Sequence, residues 1–311
     1  MALLLYVDDI ILTGSSKILL TDLIKYLSNN FAMKELGNLH YFLGLEAVRS
    51  ENSIMLSENK YTMELLSKAH MLDCNPCSTP VSKGPRVSIK EGVLLPNATE
   101  YRTIVGMLQY LCLTRPDICF DVNYASKYMH SPTDIHLLLV KSILRYLQGT
   151  LGYGITLRKG DIECLTAFTD SDWGSCPETS RSTCGYAIFM GKYLISWSSK
   201  KHPTVSRSTA EAEYKSLSVA TTELEVKHIK IHYHVVRELI EQGFLTVQHV
   251  SSENQLAYLF TKGLCAPIFT SLLQQLLVLP TSSDTSIHIS AGSSTSSDIS
   301  VVAATEDISN F

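Results

Sequence analysis

Two adjacent aspartates, Asp8 and Asp9, stand between the apolar runs Leu3–Val7 and Ile10–Thr13. A membrane span needs roughly 20 consecutive apolar residues, so the two charges exclude one here. The stretch also lacks the basic start and small-residue cleavage site of a secretory signal. What remains is a β-hairpin whose turn carries both acids. Turns favour Asp for local reasons, and a plain hairpin is one reading. The sharper reading has the apolar strands burying the hairpin and so fixing the carboxylates. Buried carboxylates need a cation, hard oxygen ligands suit Mg²⁺, and two-metal nucleotidyl transfer uses such a clamp.

Downstream, the apolar spacing of Ile18, Leu19, Leu23, Ile24 and Leu27 predicts a helix over 16–30. Residues 39–49 read as one strand with a partner at 53–57, and 60–71 as a second helix. Pro76, Pro80, Pro85 and Pro96 mark 72–100 as a linker or long loop. Helices are expected over 101–114 and 118–130, separated by Arg115-Pro116-Asp117, and over 133–148 before Gly149. Tyr101 to His130, rich in Tyr, Leu and Met, reads as helix core. A second unit is expected from about residue 150, with GITLR, LTAFTDSDW, GYAIFM and YLISWSS as consecutive short strands. A helix begins near Ser208 with acids in its first turn and is extended toward 240. A short strand follows at 245–250 and a short helix at 253–264.

The segment 167–214 holds the second chemical constellation. Asp170 and Asp172 lie at a strand end, and Glu211 and Glu213 open the helix after it. An acid at a strand end and another at a helix start can meet at one metal. The bland alternative makes them a turn residue and first-turn acids.

Other features carry less. The eight cysteines are scattered, and only Cys74 and Cys77 form a CxxC, without a second pair or nearby His to complete a zinc site. Free thiols in a reducing compartment follow, so an intracellular protein of the cytoplasm or nucleus, not a secreted one, is expected. His228 and His232 share a helical face but lack a third ligand, and read as a solvated basic face. Lys200, Lys201, His202 and Arg207 form a basic cluster able to contact phosphate. Net charge is −4, yet the last 49 residues hold four acids and no Lys or Arg, so 1–262 sums to zero. Residues 281–311 contain 14 Ser/Thr and one aromatic, Phe311, and are expected to be disordered.

LLLYVDDIILTGSS resembles the YVDD palm hairpin of reverse transcriptases, in the version found in copia-type retrotransposon Pol polyproteins. The resemblance continues through FAMKELGNLHYFLGLE (31–46), 56–71, Ser78-Thr79-Pro80-Val81 and YRTIVGMLQYLCLTRPDICFDVNYASKYMHSPT (101–133). It then runs on to 262 with one break. The implied fold is α+β with α/β character. A C-terminal part of the palm and thumb (1–71) is followed by a linker and helical connection (72–163). A ribonuclease H-like mixed sheet with helices (164–264) comes next, then a disordered tail (265–311).

By the same resemblance, Asp8 matches the metal-binding first Asp of the polymerase hairpin, and Asp9 its neighbour. The earlier palm strand and the fingers precede the point where this sequence begins. The segment 167–214 resembles the ribonuclease H domain of the family, which cleaves the RNA of an RNA–DNA hybrid with two Mg²⁺ held by four carboxylates. Asp170 matches the first-strand Asp, with Asp172 as fallback. Glu213 matches the helix Glu, with Glu211 as fallback. The third carboxylate lies on a strand that is absent between Glu223-Leu224 and Lys227-His228-Ile229, a deletion near 225–227. Its loss is expected to leave unpaired backbone on both neighbouring strands. The fourth is replaced by Tyr258, neutral at pH 7 with a pKa of about 10. The resemblance thus implies a degenerate fragment with Mg²⁺ as ancestral cofactor and nucleic acid as partner, through Lys200, Lys201 and Arg207. No membrane and no small-molecule cofactor are implied, and catalysis is expected to be absent or nearly so. The alternatives are an active Mg²⁺-dependent ribonuclease H or reverse transcriptase, and a non-catalytic binding protein.

Overall fold

The structure is a computed structural model and describes residues 1–7, 9–80, 87–160, 164–224, 240–241, 243, 245–276, 278–280 and 299–303. Strands β1 (Ala2–Tyr6) and β2 (Asp9–Thr13) pair antiparallel as a two-stranded sheet of their own. Every residue of β1 is exposed, and helix α1 (Lys17–Asn30) buries none of its residues. The expectation of a buried hairpin therefore fails: among the described residues the two strands have no third partner to bury their apolar face against.

β3 (Tyr41–Phe42), β4 (Leu45–Arg49) and β5 (Ser53–Ser57) form an antiparallel meander. The single strand expected over 39–49 is broken because Leu43 and Gly44 turn the chain at positive φ, 49° and 83°. α2 (Asn59–Lys68) buries Leu65 and Leu66. α3 (Ala98–Leu111) is capped by the Asn97 side chain, which accepts from Thr99 N at 2.9 Å. Where one helix over 118–130 is expected, Pro116–Ile118 makes a 3-10 turn that leads into a short α4 (Cys119–Ser126). α5 (Asp134–Gly149) begins with a capping box between Thr133 and His136.

The described parts of the Pro-rich stretch are docked on α5. Arg145 Nε donates to Asn75 O at 2.7 Å, and Val93 N donates to Asp134 Oδ1 at 2.8 Å. The Cys77 thiol donates to Thr79 O and Ser142 O. It is a hydrogen-bond donor seated on α5 rather than half of a metal site.

β6 (Tyr153–Arg158) corrects the division of strands read from the sequence. It pairs antiparallel with β5, Ser57 opposite Gly154, and so joins the meander instead of opening the second sheet. A Cβ at Gly154 would stand 2.2 Å from Leu56 O, so the close pairing requires glycine. The second sheet is built by β7 (Leu165–Asp172), β8 (Thr183–Met190), β9 (Tyr193–Lys201) and β10 (Leu245–His249), with α6 (Thr209–Leu224) against it. The helix expected at 253–264 is a 3-10 helix, Leu256–Phe260.

Residues after 265 are not uniformly disordered as expected. α7 (Ala266–Gln275) buries Phe269, Leu272 and Leu273, and β11 (Val278–Pro280) extends the meander sheet along β6. β12 (Ile299–Ala303) lies parallel between β7 and β10, with Ile299 opposite both Leu165 and Leu245. The resulting order is β10-β12-β7-β8-β9. β7 and β10, expected to carry unpaired backbone, thus both pair with β12. The extension of α6 toward 240, with Glu225–Lys227, His228 and His232, lies outside the described residues.

One core joins the helices to both five-stranded sheets. It runs from Leu65 and Leu66 through Leu108, Leu111, Ile143 and Leu147 to Phe189, Phe260 and Val278. Inside it sits a charged pair. Arg115 and Asp117 are 2% and 0% exposed and bond in a bidentate pair through one guanidinium edge, Nε–Oδ1 3.0 Å and Nη2–Oδ2 2.7 Å. The remaining donors reach Thr150 O (3.1 Å) and Oγ1 (2.7 Å), and Tyr146 OH donates to Asp117 Oδ2 at 2.6 Å. Glu58, 2% exposed, is the unpaired contrast. Oε1 accepts from Thr114 Oγ1 at 3.0 Å, and Oε2 has no hydrogen-bond partner among the described residues. Burial pushes its carboxyl up to about 7, the Thr114 bond opposing and Glu46 adding to the rise.

Three outcomes follow. Asp117→Ala leaves Arg115 charged and buried, and is expected to cost about 3–5 kcal/mol of stability in chemical denaturation. The Glu58 carboxyl holds its proton in the folded state at pH values where the unfolded chain has lost it. Its contribution is therefore complete below about pH 4.5 and declines as pH rises toward about 7. Glu58→Gln is expected to flatten that slope in a Tm-against-pH series. Ending the chain after residue 298 removes the strand between β7 and β10, and hydrogen exchange at Leu245–His249 is expected to lose its protection.

Candidate functional site: the carboxylates at the end of the second sheet

Side-chain alternation along β7 sorts its residues onto two faces. Ala167 packs beside Leu217 and Ala220 of α6. Phe168, on the opposite face, meets Phe189 ring to ring, centroids 5.8 Å apart. Asp170 and Asp172 share the face of Phe168, and Ser171 that of Ala167. The strand ends on acids where the chain turns into a loop and each carboxylate meets a polar partner.

Asp170 is 1% exposed. Its partners come from the end of the 3-10 helix: Thr261 Oγ1 donates to Oδ2, and Lys262 Nζ sits 3.2 Å from Oδ1. Burial raises the Asp170 carboxyl above its ordinary value, and Lys262 and then Thr261 pull it back. Gln255 locks the same element to the strand by donating to Thr169 O at 3.1 Å. The Lys262 ammonium also stands 3.6 Å from the centroid of the Tyr258 ring. Tyr258, at the position where an acid is expected, therefore holds the cation that neutralises Asp170.

Glu213, buried in the second turn of α6, accepts from Ser171 N through Oε1 at 3.3 Å. Ser216, on the next turn, donates to Asp170 O at 2.8 Å. The fallback acids are placed elsewhere. Glu211 pairs with Lys215 at 2.7 Å, which holds its carboxyl below the usual range. Asp172 accepts from Ser175 Oγ at 2.6 Å and from Thr183 N, so it closes the turn after β7. Three of these four acids, Asp172, Glu213 and Asp170, act on one thiol. Cys184 is pushed up to about 11, first by burial, with the Ser171 bond opposing and Asp172, Glu213 and Asp170 adding to the rise.

Of the first constellation, Asp9 is exposed at the start of β2 and Asp8 lies outside the described residues. Among the described residues, no group of three or more His, Cys, Asp and Glu is placed to hold a metal ion. The donors around Asp170 are a hydroxyl, an ammonium and backbone, which suit a carboxylate already balanced by Lys262 and do not fit Mg²⁺, a cation that demands oxygen ligands.

Of the basic residues, Lys200 is exposed at the end of β9 and Arg207 is exposed in the loop before α6, its backbone N donating to Glu211 Oε2 at 2.8 Å. Lys201 is half-buried. Burial raises the Cys176 thiol, but the Lys201 bond and that of Thr179 bring it below its ordinary value. Sequence reasoning missed Thr261, Lys262 and Lys215. The signal for the first two was available: a Thr-Lys pair just after a Tyr standing where an acid is expected.

Residues 1–83 match the family model described as reverse transcriptase (RNA-dependent DNA polymerase). The chain is 39% identical, over 89% of its length, to the retrovirus-related Pol polyprotein from transposon RE2 of Arabidopsis thaliana, of which it covers 22%. It is 47% identical to an uncharacterized mitochondrial protein of the same plant, covering 72% of this chain and 93% of that one. It is 30% identical to a transposon Ty5-1 protein of Saccharomyces cerevisiae, covering 70% of this chain and 72% of that one. No solved structure matches. The chain spans about a fifth of the Pol polyprotein it resembles, so the activities of that whole protein are not thereby those of this chain. With reverse-transcriptase sequence at its start and Pol similarity along most of its length, the chain belongs to the copia-type retrotransposon Pol family.

Proposed function

We propose that this chain is a non-catalytic, nucleic-acid-binding remnant of a copia-type Pol protein. In this reading, 1–71 derive from the reverse-transcriptase palm, 72–163 from the connection and 164–264 from a ribonuclease H-like domain. It acts inside the cell, in cytoplasm or nucleus. The mixed sheet with α6 against β7 and β8 supports the ribonuclease H-like part. The observation that carries the loss of catalysis is the Asp170–Lys262 pair. Two-metal phosphoryl chemistry needs carboxylates free to clamp two cations. Here Asp170 is balanced by an ammonium and a hydroxyl, Asp172 and Glu211 are engaged in local structure, and Tyr258 is neutral. What the remaining residues can still do is bind: Lys200 and Arg207 present exposed cations for a phosphate backbone.

Purified chain supplied with Mg²⁺ or Mn²⁺ is expected to leave a labelled RNA–DNA hybrid uncut. An ion bound with a Kd one-hundredth of its concentration would stabilise the fold by ~2.7 kcal/mol, so Mg²⁺ is also expected to leave Tm unchanged. Turnover that vanishes on Asp170→Asn, or a Mg²⁺-dependent rise in Tm lost in the same variant, overturns the reading.

A further inference from the structure

The chain has two tryptophans. Trp197 is half-buried against the core and donates its indole N–H to Cys112 O at 2.9 Å. Trp173 is 52% exposed, directly after the carboxylate-bearing strand β7. An exposed indole forfeits a large apolar contribution, so its placement calls for a reason. It is also held. Nε1 donates to Ser206 O at 2.9 Å, which fixes the ring against the loop before α6. The next residue, Gly174, turns the chain away at a φ of 63° and donates to Ser182 Oγ at 3.1 Å.

Cations collect around the same loop. Lys215 Nζ reaches Thr204 Oγ1 (3.2 Å), Val205 O (3.4 Å) and Ser206 Oγ (3.2 Å) from α6, with Glu211 balancing its charge. His202 N donates to Ser182 O at 2.7 Å, which draws the end of β9, with Lys200, to this edge of the sheet. Register places Lys201 opposite Thr183, and Thr183 opposite Asp172, the residue before Trp173. Arg207 adds an exposed cation one residue past the carbonyl that holds the indole.

We propose that Trp173 is a stacking platform for an unpaired base of a single-stranded nucleic acid, with Lys200 and Arg207 taking the flanking phosphates. The proposal rests on the nucleic-acid-binding reading above and adds a substrate form to it. A fixed indole accepts a base only when that base is free of its own neighbours, as in a single strand or an overhang. Such stacking tolerates any sequence because every base has a π-face. A blunt hybrid offers the cations its phosphates but gives the indole nothing to stack on.

The test uses the full chain with end-labelled RNA and DNA single strands, a blunt RNA–DNA hybrid, and the same hybrid with an overhang, all read by anisotropy. Wild type is expected to bind the single strand and the overhang more tightly than the blunt hybrid. Trp173→Ala is expected to lose roughly tenfold on the first two and little on the blunt hybrid, while Trp173→Phe retains most of the affinity. In Trp197→Phe, where Trp173 is the sole tryptophan, the single strand is expected to quench the indole emission. Lys200→Ala with Arg207→Ala is expected to weaken all forms and flatten the salt dependence. If all forms bind and Trp173→Ala, with its Tm unchanged, weakens none of them, the platform is overturned while the binding reading stands. If no form binds at low salt, both fall.

Discussion

Arg115 and Asp117 form the interaction on which the central layer depends. They are two residues apart in sequence, on either side of Pro116, and they are buried together. Burying two charges is costly unless hydrogen bonds satisfy what remains of them. Here Thr150 and Tyr146 do so, and in doing so they fix α5 and the start of β6 against the 3-10 turn between α3 and α4. Arg115 also lies over the rings of Tyr146 and Tyr153, 5.5 and 5.6 Å from their centroids. The helical layer is thereby oriented by directional bonds. Its apolar side chains then fill the space between the two five-stranded sheets, a contribution that is larger but less specific.

The carboxylate site depends on that frame. The 3-10 helix that carries Tyr258, Thr261 and Lys262 is anchored in the same core through Leu256, Leu259 and Phe260. Gly185, paired opposite Asp170, lets it approach, since a Cβ there would meet Phe260 Cβ at 2.6 Å. So Lys262 reaches Asp170 because a rigid element delivers it. The acids are built into the end of the sheet where each has a local partner, and Asp172, Glu213 and Asp170 together add to the rise of the Cys184 thiol.

Much of this was legible in the sequence. The helices α1, α2, α3 and α5 follow apolar spacing and caps, because both signals are local. The resemblance points to Asp170 and Glu213 ahead of Asp172 and Glu211; in the structure Asp170, Asp172 and Glu213 are buried and Glu211 is half-buried. What was not legible was long-range. Gly154–Arg158 has the same β-prone composition as the strands after it, and only its pairing with Ser53–Ser57 decides which sheet it joins. The Arg115-Pro116-Asp117 stretch reads as a helix break, which it is, but its role as a buried hub needs Thr150 and Tyr146 beside it. The signal for α7 is present in the apolar Ile268, Phe269, Leu272 and Leu273, and its place just before the Ser/Thr-rich 281–311 hides it.

The internal strand that the resemblance expects between β7 and β10 would, if missing, pose a physical problem, and in the structure β12 stands in that position. A gap between β7 and β10 would leave two rows of backbone donors and acceptors without partners inside a sheet, at a cost comparable to several lost hydrogen bonds. β12 closes it in parallel register over five residues on each side. The repair concerns backbone alone, since ladder pairing is indifferent to which side chains a strand carries. It therefore completes the sheet without adding an acid: Ile299–Ala303 contains none. A fold can be completed by any strand of suitable length and β-propensity, whereas a metal site requires a particular carboxylate at a particular register position. Completion of the sheet and possession of a metal site are thus separate properties of a chain.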